Sequence, residues 1–270
     1  MNFIFFRSLL PSPYSLLPNF LCFLVNIWQS SPANLVLSKD EVHVFSASLK
    51  QPLWRLQQLA KILSPDEQLR ANNFYFEKDR WRFIVCRGIL RIILGRYLDI
   101  EPSQIQFSYG VHSKPALLET SRNSSTLQFN LSHSQELALY AFTLSRQVGI
   151  DLEYIRPIDD IDSLAKHFFS EQEYTVLRKL PESERQIAFF NCWTRKEAYI
   201  KATGQGLSLP LNQFEVSLIP GDPAMLLRTF TDSKEASLWS LQELTPDPEY
   251  IAALAVQGFY WQLKMFSWSG

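Results

Sequence analysis

The feature that most limits what this chain can fold into is that it matches itself. Ser64-Pro65-Asp66-Glu67 and Ser170-Glu171-Gln172-Glu173 each set a glutamate three residues after a serine, the pattern of a helix-opening capping box, and they lie 106 residues apart. At the same spacing Phe83 meets Phe189, Cys86 meets Cys192, and Val42 and Val44 meet Val148 and Ile150, with no gap needed. Alternation predicts strands at Glu41–Ser48 and Val148–Glu153. Apolar spacing predicts long helices at Asp79–Tyr97 and Glu184–Thr203, the second ended by Gly204. One unit of strand, helix and long helix, used twice, predicts two similar halves. Leu127–Leu131 and Leu137–Thr143 add strands, and Gly110–Pro115 is a turn region. The tail beyond Phe214 alternates enough for further strands, without fixing where they lie.

The duplication makes the acids informative. Asp151, Glu153 and Glu197 fall opposite Phe45, Ala47 and Arg91, so only the second copy carries the carboxylates. Such a pair holds one working site, expected at the junction of the halves. On a strand Asp151 and Glu153 share a face and repel unless a cation lies between them. Oxygen-only ligands suit Mg²⁺, which fills its other positions with phosphate and water. On a helix Trp193, Glu197 and Lys201 line one face. Asn130-Leu131-Ser132-His133-Ser134, with Lys114-Pro115 upstream, places hydroxyl, imidazole and amine near a strand end, a set suited to phosphate. A Ser-His nucleophile pair is disfavoured there, because neighbours on a strand point to opposite faces. Taken singly, these features also fit a solvated strand face, an ordinary Glu–Lys helix pair and a structural histidine.

Bulk properties exclude several classes. Of the 270 residues 46% are hydrophobic, enough for a packed core. The net charge of −1 gives no global field for nucleic acid. Cys22, Cys86 and Cys192 are odd in number and form no metal knuckle, so they read as small buried residues in a reducing, cytoplasmic compartment. The apolar stretch Met1–Trp28 is interrupted by Pro11, Pro13 and Pro18, and its unbroken run Phe20–Val25 is far short of the ~20 residues of a membrane span. It reads as an N-terminal extension, from a start site chosen too early, rather than an export signal or membrane anchor. No Gly-x-x-x-x-Gly-Lys-Ser/Thr run occurs, so this is not a P-loop enzyme.

In order along the chain, Lys114-Pro115, Asn130-Leu131-Ser132-His133-Ser134, Gly149-Ile150-Asp151-Leu152-Glu153, Trp193-Thr194-Arg195-Lys196-Glu197-Ala198-Tyr199-Ile200-Lys201 and Gly204-Gln205-Gly206-Leu207 together resemble the Sfp type of 4′-phosphopantetheinyl transferases. The resemblance runs from about Val42 to Phe214 and more weakly through the tail. It implies an α+β pseudo-dimer: two α/β halves, each a small mostly antiparallel sheet packed with a long helix, related by a pseudo-twofold, with coenzyme A between them. Residues 35–130 would form the first half, 131–270 the second, and 1–34 the extension. The implied metal ligands for Mg²⁺ are Asp151, Glu153 and Glu197, and the implied coenzyme A contacts are Arg82, Lys114, Ser132, His133, Lys196 and Lys201, with Arg70 and Arg87 as weaker candidates. The implied reaction moves phosphopantetheine from coenzyme A to a serine of an apo acyl or peptidyl carrier protein, in a monomeric enzyme. Glu197 or a metal-bound water is the implied base, and Lys201 stabilises charge on the pyrophosphate or protonates the leaving group. Two features depart from the family pattern: the segment before Leu35, and Asn72-Asn73 where basic residues are frequent. The alternatives are a non-catalytic relative that binds coenzyme A or a carrier protein, and a different metal-dependent phosphotransferase.

Overall fold

Each copy of the repeat begins with a strand whose two faces differ in kind, and this phasing stacks the molecule in layers. The computed structural model describes residues 28–110, 114–118 and 126–269. A short strand β1 (Gln29–Ser30) precedes β2 (Glu41–Ser48), helices α1 (Leu53–Lys61), α2 (Pro65–Asn72) and α3 (Glu77–Leu98), a 3₁₀ turn Pro102–Gln104, a small hairpin of β3 (Phe107–Tyr109) and β4 (Pro115–Leu117), and strands β5 (Leu127–Ser134) and β6 (Leu137–Leu144). The series then repeats: β7 (Val148–Tyr154), α4 (Ile161–Phe168), α5 (Glu171–Lys179), α6 (Glu182–Thr203), a 3₁₀ turn Leu211–Gln213, a hairpin of β8 (Phe214–Val216) and β9 (Leu226–Thr229), and strands β10 (Trp239–Leu244) and β11 (Tyr250–Gln257). A last strand, β12 (Gln262–Ser267), runs back to the first half.

The sheets are ordered β1-β12-β2-β6-β5 and β10-β11-β7. Val42 and Val44 from β2, Leu139 and Ala141 from β6, Val148, Ile150 and Leu152 from β7 and Leu254 from β11 form one apolar cluster between the sheets. On the outer face of the first sheet Phe45, Tyr140 and Phe142 pack under α3, and on that of the second Ala253 and Ala255 pack under α6. The result is the expected α+β arrangement of two similar halves, layered helix, sheet, sheet, helix. The boundary expected between residues 130 and 131 falls inside β5, which pairs with β6 and so belongs to the sheet of β2. The repeat changes over between β6 and β7.

Both capping boxes form, and each glutamate does a second job. Glu67 is buried and receives Arg91 Nε at 2.6 Å, while Arg91 Nη1 donates to the carbonyls of Pro102 and Ile105. Glu173 is buried and receives Lys196 Nζ at 2.8 Å, while Nζ also donates to the carbonyls of Leu211 and Phe214. Each cation therefore clamps a 3₁₀ turn that follows its own long helix, adding carbonyl hydrogen bonds to the ion pair, which helps a buried pair to hold. This equivalence corrects the register of the repeat. Lys196, not Glu197, is the counterpart of Arg91, and Ile92 matches Glu197. The cause is one residue in the connection: α3 starts thirteen residues after Ser64 and α6 twelve after Ser170.

Residues 1–27, including Cys22 and most of the expected extension, lie outside the described residues. Residues 28–34 do not hang free of the body. β1 pairs in parallel with β12, Trp28 Nε1 donates to Thr245 O, and Arg96 holds Ser31 Oγ and the carbonyls of Pro32 and Ala33. Among the described residues no helix is long and apolar enough to cross a membrane. Cys86 and Cys192 are free and buried, and burial raises the pKa of both thiols.

Candidate active site

A glycine decides how the site assembles. Gly149 stands on the face of β7 that looks at α6, and a Cβ there would lie 2.0 Å from Ala198 O and 2.3 Å from Ala202 N. Only a residue without a side chain lets strand and helix approach this closely. The approach carries Asp151, two residues along β7, against Lys201, whose Nζ reaches Asp151 Oδ1 at 2.5 Å. Glu197, one turn before Lys201 on α6, opens onto the adjoining cleft.

The outer edge of β7 is closed without a backbone ladder. Asn130 Oδ1 accepts from Ile150 N at 2.9 Å, Ser132 Oγ from Leu152 N at 3.3 Å and Ser134 Oγ from Tyr154 N at 3.1 Å. The two hydroxyls then donate to the acids beside them, Ser132 to Asp151 Oδ1 at 3.0 Å and Ser134 to Glu153 Oε2 at 3.2 Å. Ser132 Oγ also accepts from Lys201 Nζ at 3.1 Å, which uses its full hydrogen-bonding capacity.

The carboxylates crowd one another. Burial, then the charge of Asp151, pushes the pKa of Glu197 above its usual value, against the pull of Lys201. Glu153 is raised by the same two causes, with Ser134, Lys201 and Arg156 opposing. Among the described residues no three Asp, Glu, His or Cys side chains already form a metal cage. One oxygen of Asp151 is held by Lys201 and Ser132. Its other oxygen, Oδ2, is buried and takes no hydrogen bond at all. A lone buried carboxylate oxygen is costly unless something positive meets it.

A cleft of about 340 Å³ opens beside these groups, between α3 and β5 of the first half and α6 of the second. Phe83, Cys86, Arg87, Lys114, His133, Glu197, Ile200 and Lys201 are among its walls. Of the residues singled out in the sequence, Lys114, His133, Glu197 and Lys201 therefore meet in one place. Lys114 Nζ donates to Val148 O, Lys201 O and Ala202 O, so it caps the carbonyl end of α6, and burial lowers its pKa to about 8. His133 is exposed at the rim; desolvation by the wall and then the cations Lys201 and Arg82 hold its pKa below the usual value. Arg70 and Arg87 line the same cleft, Arg87 buried over the rings of Phe83, Phe107 and Tyr109 with Nη1 unpartnered.

Three expected contacts lie elsewhere. Lys196 is wholly buried in its ion pair with Glu173, away from the cleft. Ser132 faces Asp151 rather than the cleft. Arg82 is engaged by Glu136 at 2.5 Å, by Gln135 and by Asp79, although its Nε is buried without a partner. Asn130, Ser134 and Gly149 are structural partners of the site that their residue types alone do not reveal. A glycine inside an alternating strand was the available signal for a close backbone approach.

Comparison with known proteins places this arrangement. Residues 147–255 match the 4′-phosphopantetheinyl transferase superfamily, and residues 51–144 match 4′-phosphopantetheinyl transferase, N-terminal. The chain is 50% identical over 243 residues to the 4′-phosphopantetheinyl transferase HetI of Nostoc sp., covering 90% of this chain and 99% of that protein. The chain belongs to the 4′-phosphopantetheinyl transferase family. Within it, the chain is 33% identical over 162 residues to 4′-phosphopantetheinyl transferase Sfp of Bacillus subtilis, covering 60% of this chain and 69% of that one. It is 28% identical over 207 residues to the human L-aminoadipate-semialdehyde dehydrogenase-phosphopantetheinyl transferase, covering 72% and 67%. The two matched segments of this transferase chain meet between residues 144 and 147, where the structural repeat passes from β6 to β7.

Proposed function

We propose that this transferase moves the 4′-phosphopantetheine group of coenzyme A onto a serine of an apo acyl or peptidyl carrier protein, releasing adenosine 3′,5′-bisphosphate. One observation carries the reading: the close packing of β7 on α6 sets Asp151 against Lys201, with Asp151 Oδ2 unpartnered, beside a cleft that spans both halves. The donor set fits a hard divalent cation. All three candidate ligands are carboxylates, and Glu153 and Glu197 are raised in pKa by burial and then by the charge of Asp151, a cost that a cation would relieve. Asp151, Glu153 and Glu197 would hold Mg²⁺, which when bound neutralises charge developing on the pyrophosphate.

The remaining roles fall to the chain's own side chains. Glu197 opens to the cleft with an elevated pKa, which suits a base that takes the proton of the attacking serine hydroxyl. Lys201 Nζ donates to the departing phosphate oxygen and stabilises its charge. Its contact with Ser132 and Asp151 keeps the ammonium aimed at the site. Attack forms the bond from the serine oxygen to the β-phosphorus of coenzyme A and breaks the pyrophosphate bond, so no covalent enzyme intermediate arises. His133, Arg87 and Arg70 provide cationic or hydrogen-bonding walls for the nucleotide, and Phe83 an apolar one.

The test is the intact mass of an apo carrier protein after incubation with the enzyme, coenzyme A and Mg²⁺. The expected result is the gain of one phosphopantetheine, abolished by EDTA. No gain on fatty-acid, polyketide or peptide carriers, from folded protein that binds coenzyme A, would make the chain a non-catalytic binder.

A further inference from the structure

β7 is the edge strand of its sheet, and the strand beside it, β5, lies in the other sheet. A strand edge leaves a row of N–H groups that must find acceptors when buried. Here the acceptors are side chains. Asn130, Ser132 and Ser134 alternate along β5 and take the amides of Ile150, Leu152 and Tyr154 in the same step of two. Leu131 and His133 turn to the cleft between them. This explains why the motif reads polar at every second position. Ser134 is the outermost rung, partly buried, and its oxygen both accepts from Tyr154 N and donates to Glu153 Oε2.

We infer that Ser134 is a positioning residue for the cation site: its hydroxyl fixes the edge of β7 and the rotamer of Glu153 at once. The inference rests on the cation reading of Asp151, Glu153 and Glu197 given above. Groups that hydrogen-bond a ligating carboxylate set its orientation, and their loss typically lowers metal affinity about 10- to 100-fold.

The experiment compares full-length wild type, Ser134→Ala and Ser134→Thr by two readouts. The first is amide hydrogen exchange in metal-free protein. Ser134→Ala should speed exchange at Tyr154 while Ile150, held by Asn130, stays protected; Ser134→Thr keeps the hydroxyl and should keep both. The second is binding of Mn²⁺, followed by the electron paramagnetic resonance of the free ion at a temperature where all three proteins are folded. Ser134→Ala should bind about tenfold more weakly and Ser134→Thr within about twofold of wild type. Wild type that binds Mn²⁺ together with a Ser134→Ala variant that binds it equally well would overturn the inference alone. Loss of affinity in Ser134→Thr as large as in Ser134→Ala would do the same, because the hydroxyl would not be the cause. Wild type that binds no Mn²⁺, with Tyr154 exchange still responding to Ser134→Ala, would overturn the cation reading and this inference with it.

Discussion

The two halves answer the same structural problem with opposite side chains. At the place where the long helix crosses the first strand, the first half sets His43 against Tyr97, with Nδ1 and the phenol oxygen 2.7 Å apart. The second half sets Gly149 against Ala198 and Ala202. Bulk holds one helix at a distance, and its absence draws the other in. Two residues further on, Phe45 is buried under α3, while Asp151 meets Lys201 under α6. The strand edges differ in the same sense. β2 is closed by a parallel backbone ladder from β12, and β7 by the side chains of β5. A ladder of backbone bonds suits an apolar face. A ladder of serine and asparagine side chains brings hydroxyls to the carboxylates. The two copies of a duplicated scaffold thus differ by local changes in size and polarity at matched positions, which is all the proposed site requires, while the ion-paired clamps of Arg91 and Lys196 stay common to both.

The largest expected effect breaks the close approach itself. Gly149→Val puts a branched side chain into backbone atoms of α6 and should prevent folding or cost more than about 4 kcal/mol in urea unfolding. His43→Val, its match in the first half, should cost less, because an apolar side chain replaces a buried polar one. Next come the clamps. Lys196→Met strands the buried Glu173 and should lower stability by about 3–5 kcal/mol, and Arg91→Met should cost less, because Arg87 Nε stays 3.6 Å from Glu67 Oε1. Coenzyme A affinity of folded Lys196→Met should stay within about threefold of wild type; calorimetric titration checks this. A larger loss would put Lys196 among the ligand contacts. Asp151→Ala should reduce transfer about 10²–10³-fold in the intact-mass assay. Phe45→Leu at the matched position should lower the unfolding midpoint and leave turnover per folded molecule unchanged.

The smallest effect concerns Lys114, whose pKa burial lowers from the ordinary 10.5 to about 8 in the folded chain. Between these values the unfolded chain binds more protons than the folded one, so stability should rise with pH from about 8 to 10.5 through this group. Below pH 8 its full cost is present, at most about 3 kcal/mol. Urea midpoints of wild type and Lys114→Met across that range should differ in slope, the variant being flatter.

Much of this was legible in the sequence where local chemistry dominates. Glu41–Ser48 appears as read, both capping boxes form, and Gly204 ends α6 with φ of 72°. The carboxylate strand and the Glu197–Lys201 face were legible because strand and helix periods alone bring those groups onto single faces. What failed was long-range. The one-residue shift between capping box and long helix is invisible without tertiary contacts, since apolar positions on a helix tolerate either register. Lys196 lies beside Glu197 in a functional-looking motif, but one step along a helix turns a side chain by about 100°, here into the core. The parallel pairing of β12 with β2 joins residues more than two hundred positions apart, and no local signal specifies it. That Ser132 meets Asp151 and Leu152 rather than the cleft is set by how the two sheets stack, which no local signal carries.

The claim that only the second half works, at its junction with the first, is tested most directly by a crystal structure with coenzyme A and Mn²⁺, the ion located by its anomalous scattering. The account predicts one Mn²⁺ peak at Asp151 Oδ2 with Glu153 and Glu197, and the coenzyme A pyrophosphate in the cleft between α3, β5 and α6, within reach of Lys201. Metal bound away from these carboxylates, or coenzyme A outside that cleft, would contradict it.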